Sequence, residues 1–518
     1  MLGWRPGPNF CNLREAMGDT RISNIVIAGG GTAGWMAAAA LSRFLEQGYR
    51  ITLVESEAIG TVGVGEATIP QIHLFNGWLG LDEAEFLRET KASFKLGIEF
   101  VGWHRPDARY MHAFGFVGRA FGMAPFRHGW ARANAAGHAK PYGAYSFNEV
   151  AARAGRFGKG DGRHGAIPDL TYAYHFDAGH YAAYLRRYAE ARGVTRVEGM
   201  IETVERDPQG GDVAALLLDG GRRIEGQLFI DCSGFRGLLI GEALGTPYLD
   251  WTNYLPCDRA LAVPCARTDA FRPYTQSIAR PAGWQWRIPL QHRTGNGHVY
   301  CSGFMGEDEA AALLLANLDG EAMDVPRPLR FTTGRRERAW EANVVALGLS
   351  AGFMEPLEST SIHLIQAGIA RLLTYFPHRR VEAVERDQFN RLTAFEWERV
   401  RDFLVAHYKY NERVGEPFWD QCRAMPIPDS LAEKAELFRS GGRIHREHEE
   451  LFTEEGWAQI FIGQGVMPRD WHPLADMVAD DELAGFLATL SQAYQRKAHG
   501  LPTHAQSVER IAGVKEWA

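Results

Sequence analysis

Apolar positions first become regular at residues 24–28, NIVIA, a short run of the kind found in a strand buried on both faces. Gly29, Gly31 and Gly34 follow as G-x-G-x-x-G, and the Ala-rich stretch 33–47 reads as a helix that stops at Gly48. Residues 50–54 form a second apolar run, closed by Glu55. Further on, 177–192 reads as a helix, and 195–206, 213–219 and 227–230 read as strands. Residues 257–305 alternate as antiparallel strands do, and 343–348 is a strand leading to a largely apolar helix at 361–376. The pattern predicts a helix over 82–97 and an insertion of loops and short strands over about 101–170. Beyond 381 it is helical, with breaks at 413–417 and 424–429.

This order predicts an α/β protein in which the strands near 228 and 344 rejoin the first sheet. Residues 21–380 then form a discontinuous nucleotide-binding domain, 381–518 a mainly helical region on the substrate side, and 1–20 a flexible tail.

Strand, glycines, helix, strand and acid in that order are the elements of a dinucleotide site. Glycine lets the backbone approach a pyrophosphate, and the helix start at Thr32 and Ala33 offers unpaired N–H groups. The motif does not separate FAD from NAD. The formal charge of −7 over 518 residues leaves no basic footprint for nucleic acid. No apolar run is long enough to span a membrane. Six cysteines without a C-x-x-C pair fit a reducing cytoplasm. His445 and His448 lack a third ligand at metal-site spacing, so RIHREHEE reads as a solvated helix face.

Three other stretches carry candidate chemistry. In WQWRIP, Trp284 and Trp286 share one face of a strand, either as core or as an apolar wall. In FMEPLESTS, Ser359 or Thr360 is a candidate helix N-cap, placing Glu358 in the positive field of a helix start. Lys91 and Lys95 are spaced to share a helix face, which by itself reads as an exposed basic pair.

Taken together, GGGTAGWMAA at 29–38, GVGEATIP at 63–70, FKLGI at 94–98, DCSGFRGLL at 231–239, WQWRIP at 284–289 and EPLEST at 355–360 make the chain resemble the flavin-dependent tryptophan halogenases. HYKYNER and PFWDQCR extend the likeness to residue 423. The resemblance implies an FAD-binding Rossmann-like fold of the flavin monooxygenase type. FAD would be held by Gly29, Gly31, Thr32, Ala33, Gly34, Glu55, Ser233, Gly234 and Leu349. Reduced flavin would come from a separate flavin reductase. It would form a C4a-hydroperoxide with dioxygen, which oxidises chloride or bromide to hypohalous acid.

The resemblance further assigns halide to the backbone of Thr360 and Ser361, receipt of the oxidant to Lys95, and stabilisation and deprotonation of the arenium to Glu358. Trp284 and Trp286 would shield the flavin, and His112 with Phe114 would stack on a small aromatic substrate. Ser361 stands where the family usually has glycine, which puts the local turn in question. Residues 429–457 lack the Tyr-Tyr and Phe-Trp pairs that clamp a free amino acid. An indole-like or larger aromatic is therefore expected in place of free tryptophan. Two rival readings are an aromatic monooxygenase and a non-catalytic flavin-binding protein. The sequence leaves open a homodimer.

Overall fold

The computed structural model describes residues 21–45, 48–59, 65–120, 123–160 and 167–513. The expected tail over 1–20 and part of the glycine-rich segment, residues 60–64, lie outside these. A six-stranded sheet holds the first apolar run, in the order Trp340–Glu341, Val344–Ala346, Leu228–Asp231, Asn24–Ala28, Arg50–Glu55, Thr195–Glu198. All of its pairings are parallel except that of Trp340–Glu341. Ile25, Val26, Ile27 and Ala28 are fully buried, as a strand covered on both faces requires. The crossover helix Thr32–Phe44 covers the sheet, and Ala178–Glu190 packs on that helix.

A seven-stranded sheet makes the second layer. It runs Arg327–Arg330, Arg259–Ala266, Arg293–Tyr300, Gly283–Pro289, Thr275–Arg280, Gly97–Val101, Arg109–Ala113. Between the layers lies a small sheet in which Ala173–Asp177 pairs with both Gly65–Ala67 and Ser93–Lys95. From Ala383 onward the described elements are helices, beginning with the 27-residue Ala383–Lys409.

Three expectations are corrected. The helix expected to reach residue 97 ends at Glu89. Asp82 caps its start, Lys91 turns left-handed at φ 54°, and Ser93–Lys95 and Gly97–Val101 are strands. Lys91 and Lys95 therefore share no helix face. Local composition there favours a helix, but Ser93 and Lys95 pair with His175 and Ala173, some eighty residues on, and tertiary pairing overrides propensity. The Gln291 amide donates to the carbonyls of Leu87 and Ala92 and fixes the break between helix and strand.

The insertion keeps the expected loops and a strand, Arg109–Ala113, but also contains two helices that were not expected, Phe126–Ala135 and Phe147–Arg153, which pack against Asp480–His499. Residues 443–449 are a loop with no helix face. Buried Glu450 holds that loop by accepting from Lys434 and from the Glu447 amide.

Candidate active site

Three loops meet at the mouth of helix Thr32–Phe44. Gly29 adopts φ 111°, a conformation glycine takes freely, and a Cβ there would lie 2.2 Å from the Cys232 carbonyl. A Cβ on Gly34 would lie 1.9 Å from the Gly29 carbonyl, so the turn closes only because both lack one. Cys232, Ser233 and Gly234 thus run beside Gly29, and the turn Gly348–Ser350, carrying Leu349, lies against Ala33. Asp231 stiffens this mouth by accepting from the amides of Ser233, Leu239 and Ile240. Among the described residues no side chain caps the helix, and nothing lies within 4 Å of where a Cβ on Gly31 would project. Unclaimed amides facing open space suit a pyrophosphate. Glu55 waits at the end of its strand, accepting from Arg196 Nε at 2.5 Å and Trp35 Nε1 at 3.3 Å.

The second cluster surrounds Lys95, which has no solvent exposure. Its Nζ donates to the Thr68 carbonyl at 2.9 Å and to Ser359 Oγ at 2.7 Å, and lies 5.3 Å from the centre of the Phe114 ring. Burial pulls its pKa down and the Glu358 charge pushes it up, leaving it at about 7. Glu358 is 1% exposed. Burial acts to raise its pKa, but the imidazoles of His112 and His407 outweigh this and hold the carboxyl at about 2. His112 Nδ1 donates to Oε2 at 2.7 Å. His407 Nε2 lies 3.0 Å from Oε1, out of line for a hydrogen bond. The result is an ionised carboxylate and an amine poised between two protonation states in one desolvated interior.

Ser359 is left-handed at φ 60°, a conformation that strains a non-glycine residue. This turn aims its hydroxyl at Lys95 and starts helix Ser361–Thr374 without any side-chain cap. Neither Ser359 nor Thr360 serves as the expected capping side chain. Ser361 takes an ordinary helical conformation, so glycine is not required there.

The two indoles of Gly283–Pro289 share a face, with centroids 6.1 Å apart, but their planes differ by 58°, so they form no single flat wall. Trp286 lies over Gly297, where a Cβ would meet its ring at 2.0 Å. Trp284 sits deeper, with Nε1 donating to Glu355 at 2.7 Å.

The family model for tryptophan halogenase matches residues 24–480. The chain belongs to the tryptophan halogenase family. It is 37% identical over 496 residues to a tryptophan 6-halogenase of Streptomyces albogriseolus, covering 87% of this chain and 91% of that one. A flavin-dependent halogenase from Xanthomonas campestris has a solved structure with TM-score 0.91 and 49% identity, covering 95% and 98% of the two chains. Another from Brevundimonas sp. BAL3 gives TM-score 0.92 and 44% identity, covering 95% and 100%. As a flavin-dependent halogenase, the protein uses reduced FAD, a halide and dioxygen.

In this halogenase Lys95, Glu358, His112 and Phe114 converge, though they come from three separate parts of the chain. His112 is committed to Glu358, and its ring packs near Phe403 and Phe452 at 5.3 and 6.0 Å. Sequence reasoning missed the roles of Ser359, His407 and Glu355. Glu355 stands within the motif EPLEST, and His407 opens HYKYNER, so both lay inside the stretches that carried the resemblance.

Proposed function

We propose that this enzyme chlorinates or brominates an electron-rich, indole-like aromatic by passing a small halogen oxidant to Lys95. The observation that carries the reading is a fully buried lysine, hydrogen-bonded to Ser359, in the field of an ionised Glu358. The amides after Gly31 would hold the pyrophosphate of FAD and Glu55 its ribose hydroxyls, with Ser233, Gly234 and Leu349 lining the same site. Bound and reduced by a separate flavin reductase, it supplies with dioxygen the oxidant that converts halide to hypohalous acid. The helix start at Thr360 and Ser361 holds the halide, since its amides and dipole favour an anion. Trp286, backed by Trp284, keeps bulky molecules from the flavin.

At the other end, Lys95 orients the hypohalous acid by donating a hydrogen bond, or carries the halogen as a haloamine; a pKa near neutrality supports both. Halogen adds to the ring as an arenium cation, and Glu358 stabilises that charge. An arenium is a strong acid, so a carboxylate with pKa of about 2 is basic enough to take its proton. His112 fixes the carboxylate, and Phe114 with the edge of His112 borders the guest ring. The substrate is a small aromatic in a pocket more open than a free-amino-acid clamp. Among the described residues no helix is long and apolar enough to cross a membrane.

The test is product mass. Indole and larger indolic substrates are incubated with the protein, FAD, a flavin reductase, reduced nicotinamide and bromide or chloride. Gain of halogen in place of hydrogen supports the reading. Gain of oxygen refutes it in favour of a monooxygenase, and flavin binding without halide-dependent turnover refutes it in favour of a binding protein.

A further inference from the structure

Behind the indole pair runs an aromatic file that the halogenation steps do not use. Trp286 is 7% exposed, while Trp284, Trp103, Tyr408 and Trp419 are fully buried. Ring centroids are 6.1 Å apart for Trp286 and Trp284, 6.2 Å for Trp284 and Trp103, and 5.1 Å for Trp103 and Tyr408. Trp419 flanks the last pair at 5.3 and 5.8 Å. The file ends on a built acid–base pair. Tyr408 donates its phenolic proton to Glu355 Oε2 at 2.5 Å, the oxygen that also accepts from Trp284 Nε1 at 2.7 Å. Glu355 Oε1 is buried and has no partner among the described residues. Cys257 Sγ lies 3.7 Å from the Tyr408 hydroxyl. Since that hydroxyl's one proton goes to Glu355, the thiol S–H is the donor to the phenolic oxygen. Cys257 forms no disulfide and is buried, which keeps the thiol protonated.

From this order of groups we infer that Trp286, Trp284, Trp103, Tyr408 and Cys257 form a relay that drains one-electron oxidising equivalents from the flavin side of the protein into a buried thiol. The inference rests on the halogenase reading, because it takes Trp286 to face the flavin. The oxidant it answers is an oxygen-centred radical of the hydroxyl class, formed when dioxygen chemistry miscarries. That radical takes one electron from Trp286 and becomes hydroxide, and the indole radical cation hops to Trp284 and Trp103. Tyr408 then gives an electron to Trp103 and its proton to Glu355, leaving a neutral phenoxyl and a carboxylic acid. Cys257 gives a hydrogen atom to the phenoxyl, restoring Tyr408 and leaving a thiyl radical. One electron leaves the file at Trp286 and one enters it with the hydrogen atom from Cys257, the proton released by Tyr408 rests on Glu355, and the radical ends on Cys257 beside the Tyr408 hydroxyl. Burial supports the proton step by raising Glu355 to about 7, against the lowering effect of the Tyr408 and Trp284 hydrogen bonds.

The test uses the FAD-loaded protein without substrate. Light absorbed by oxidised flavin takes an electron from the nearest ring, and transient absorption follows the radical. Wild type is expected to show a tryptophanyl radical replaced by a tyrosyl radical, with the replacement slowed in heavy water because a proton moves with the electron. Tyr408→Phe should stop at the tryptophanyl stage and recombine at least an order of magnitude faster, and Glu355→Gln should do the same. Identical kinetics in wild type and Tyr408→Phe, or no heavy-water effect in wild type, would overturn the relay. Failure to bind FAD would sink the halogenase reading instead. The relay is then decided on the FAD-free protein with a ruthenium polypyridyl photo-oxidant. A tyrosyl resonance that disappears in Tyr408→Phe supports it, and one that persists overturns it.

Discussion

Replacing Lys95 by methionine should abolish halogenation and yet make the protein more stable at neutral pH. The lysine is fully buried, and its pKa falls from the ordinary 10.5 to about 7. At about 1.4 kcal/mol per unit, that shift represents roughly 4–5 kcal/mol by which the fold disfavours the ammonium. Methionine removes this penalty but leaves the Thr68 carbonyl and the Ser359 hydroxyl without their donor, a loss of about 2 kcal/mol. The net expectation is a gain of roughly 2–3 kcal/mol at pH 7, or about 2–3 °C in Tm for a chain of this length. The unfolded lysine keeps its proton up to about pH 10.5 and the folded one only to about 7, so wild-type stability rises with pH across that window. The advantage of Lys95→Met should therefore shrink above pH 7 and reverse sign at about pH 9, where the remaining penalty falls to the size of the lost hydrogen bonds. Thermal unfolding of both proteins at pH 7 and pH 9.5 measures it, and groups common to both cancel in the difference. A variant less stable than wild type at pH 7, or a difference that does not change with pH, would refute the reasoning.

Three further outcomes are expected. Ser359→Gly relieves a left-handed serine by about 1 kcal/mol but removes an acceptor for Lys95, so Tm should hold or rise while kcat falls about tenfold or more; unchanged kcat would deny Ser359 a positioning role. Gly34→Ala puts a methyl 1.9 Å from the Gly29 carbonyl and should weaken FAD binding at least about tenfold by flavin fluorescence titration, with about 1–3 kcal/mol of lost stability. Gly297→Ala drives a Cβ into the Trp286 ring and should lower the halogenated product formed per reduced flavin, with matching release of hydrogen peroxide; unchanged coupling would remove Trp286 from the wall.

The nucleotide half was legible because its signals are local. An apolar run, three glycines and an acid are adjacent, and the strands near 228 and 344 join them in the one sheet that their patterns allow. Lys95 was misplaced onto a helix because the letters around it favour helix, while its strand is decided by distant Ala173–Asp177. The segment 443–449 was misread for a similar reason. Its charges are solvated as expected, but no helix forms, because Glu450 at its end turns inward to Lys434 and the Glu447 amide. The hydroxyl on Lys95 was invisible because nothing in a serine announces a left-handed turn. Likewise Glu355 is one of two glutamates in EPLEST, and only coordinates show that Trp284 and Tyr408 share one of its oxygens.

The most direct measurement is a comparison of wild type with Lys95→Ala, both loaded with FAD and supplied with reductase, bromide and an indolic substrate, with product read by mass spectrometry and flavin occupancy by absorbance. Equal flavin occupancy with brominated product from wild type only is the predicted result. Bromination by Lys95→Ala at a rate near that of wild type would show that the halogen reaches its target without the buried lysine.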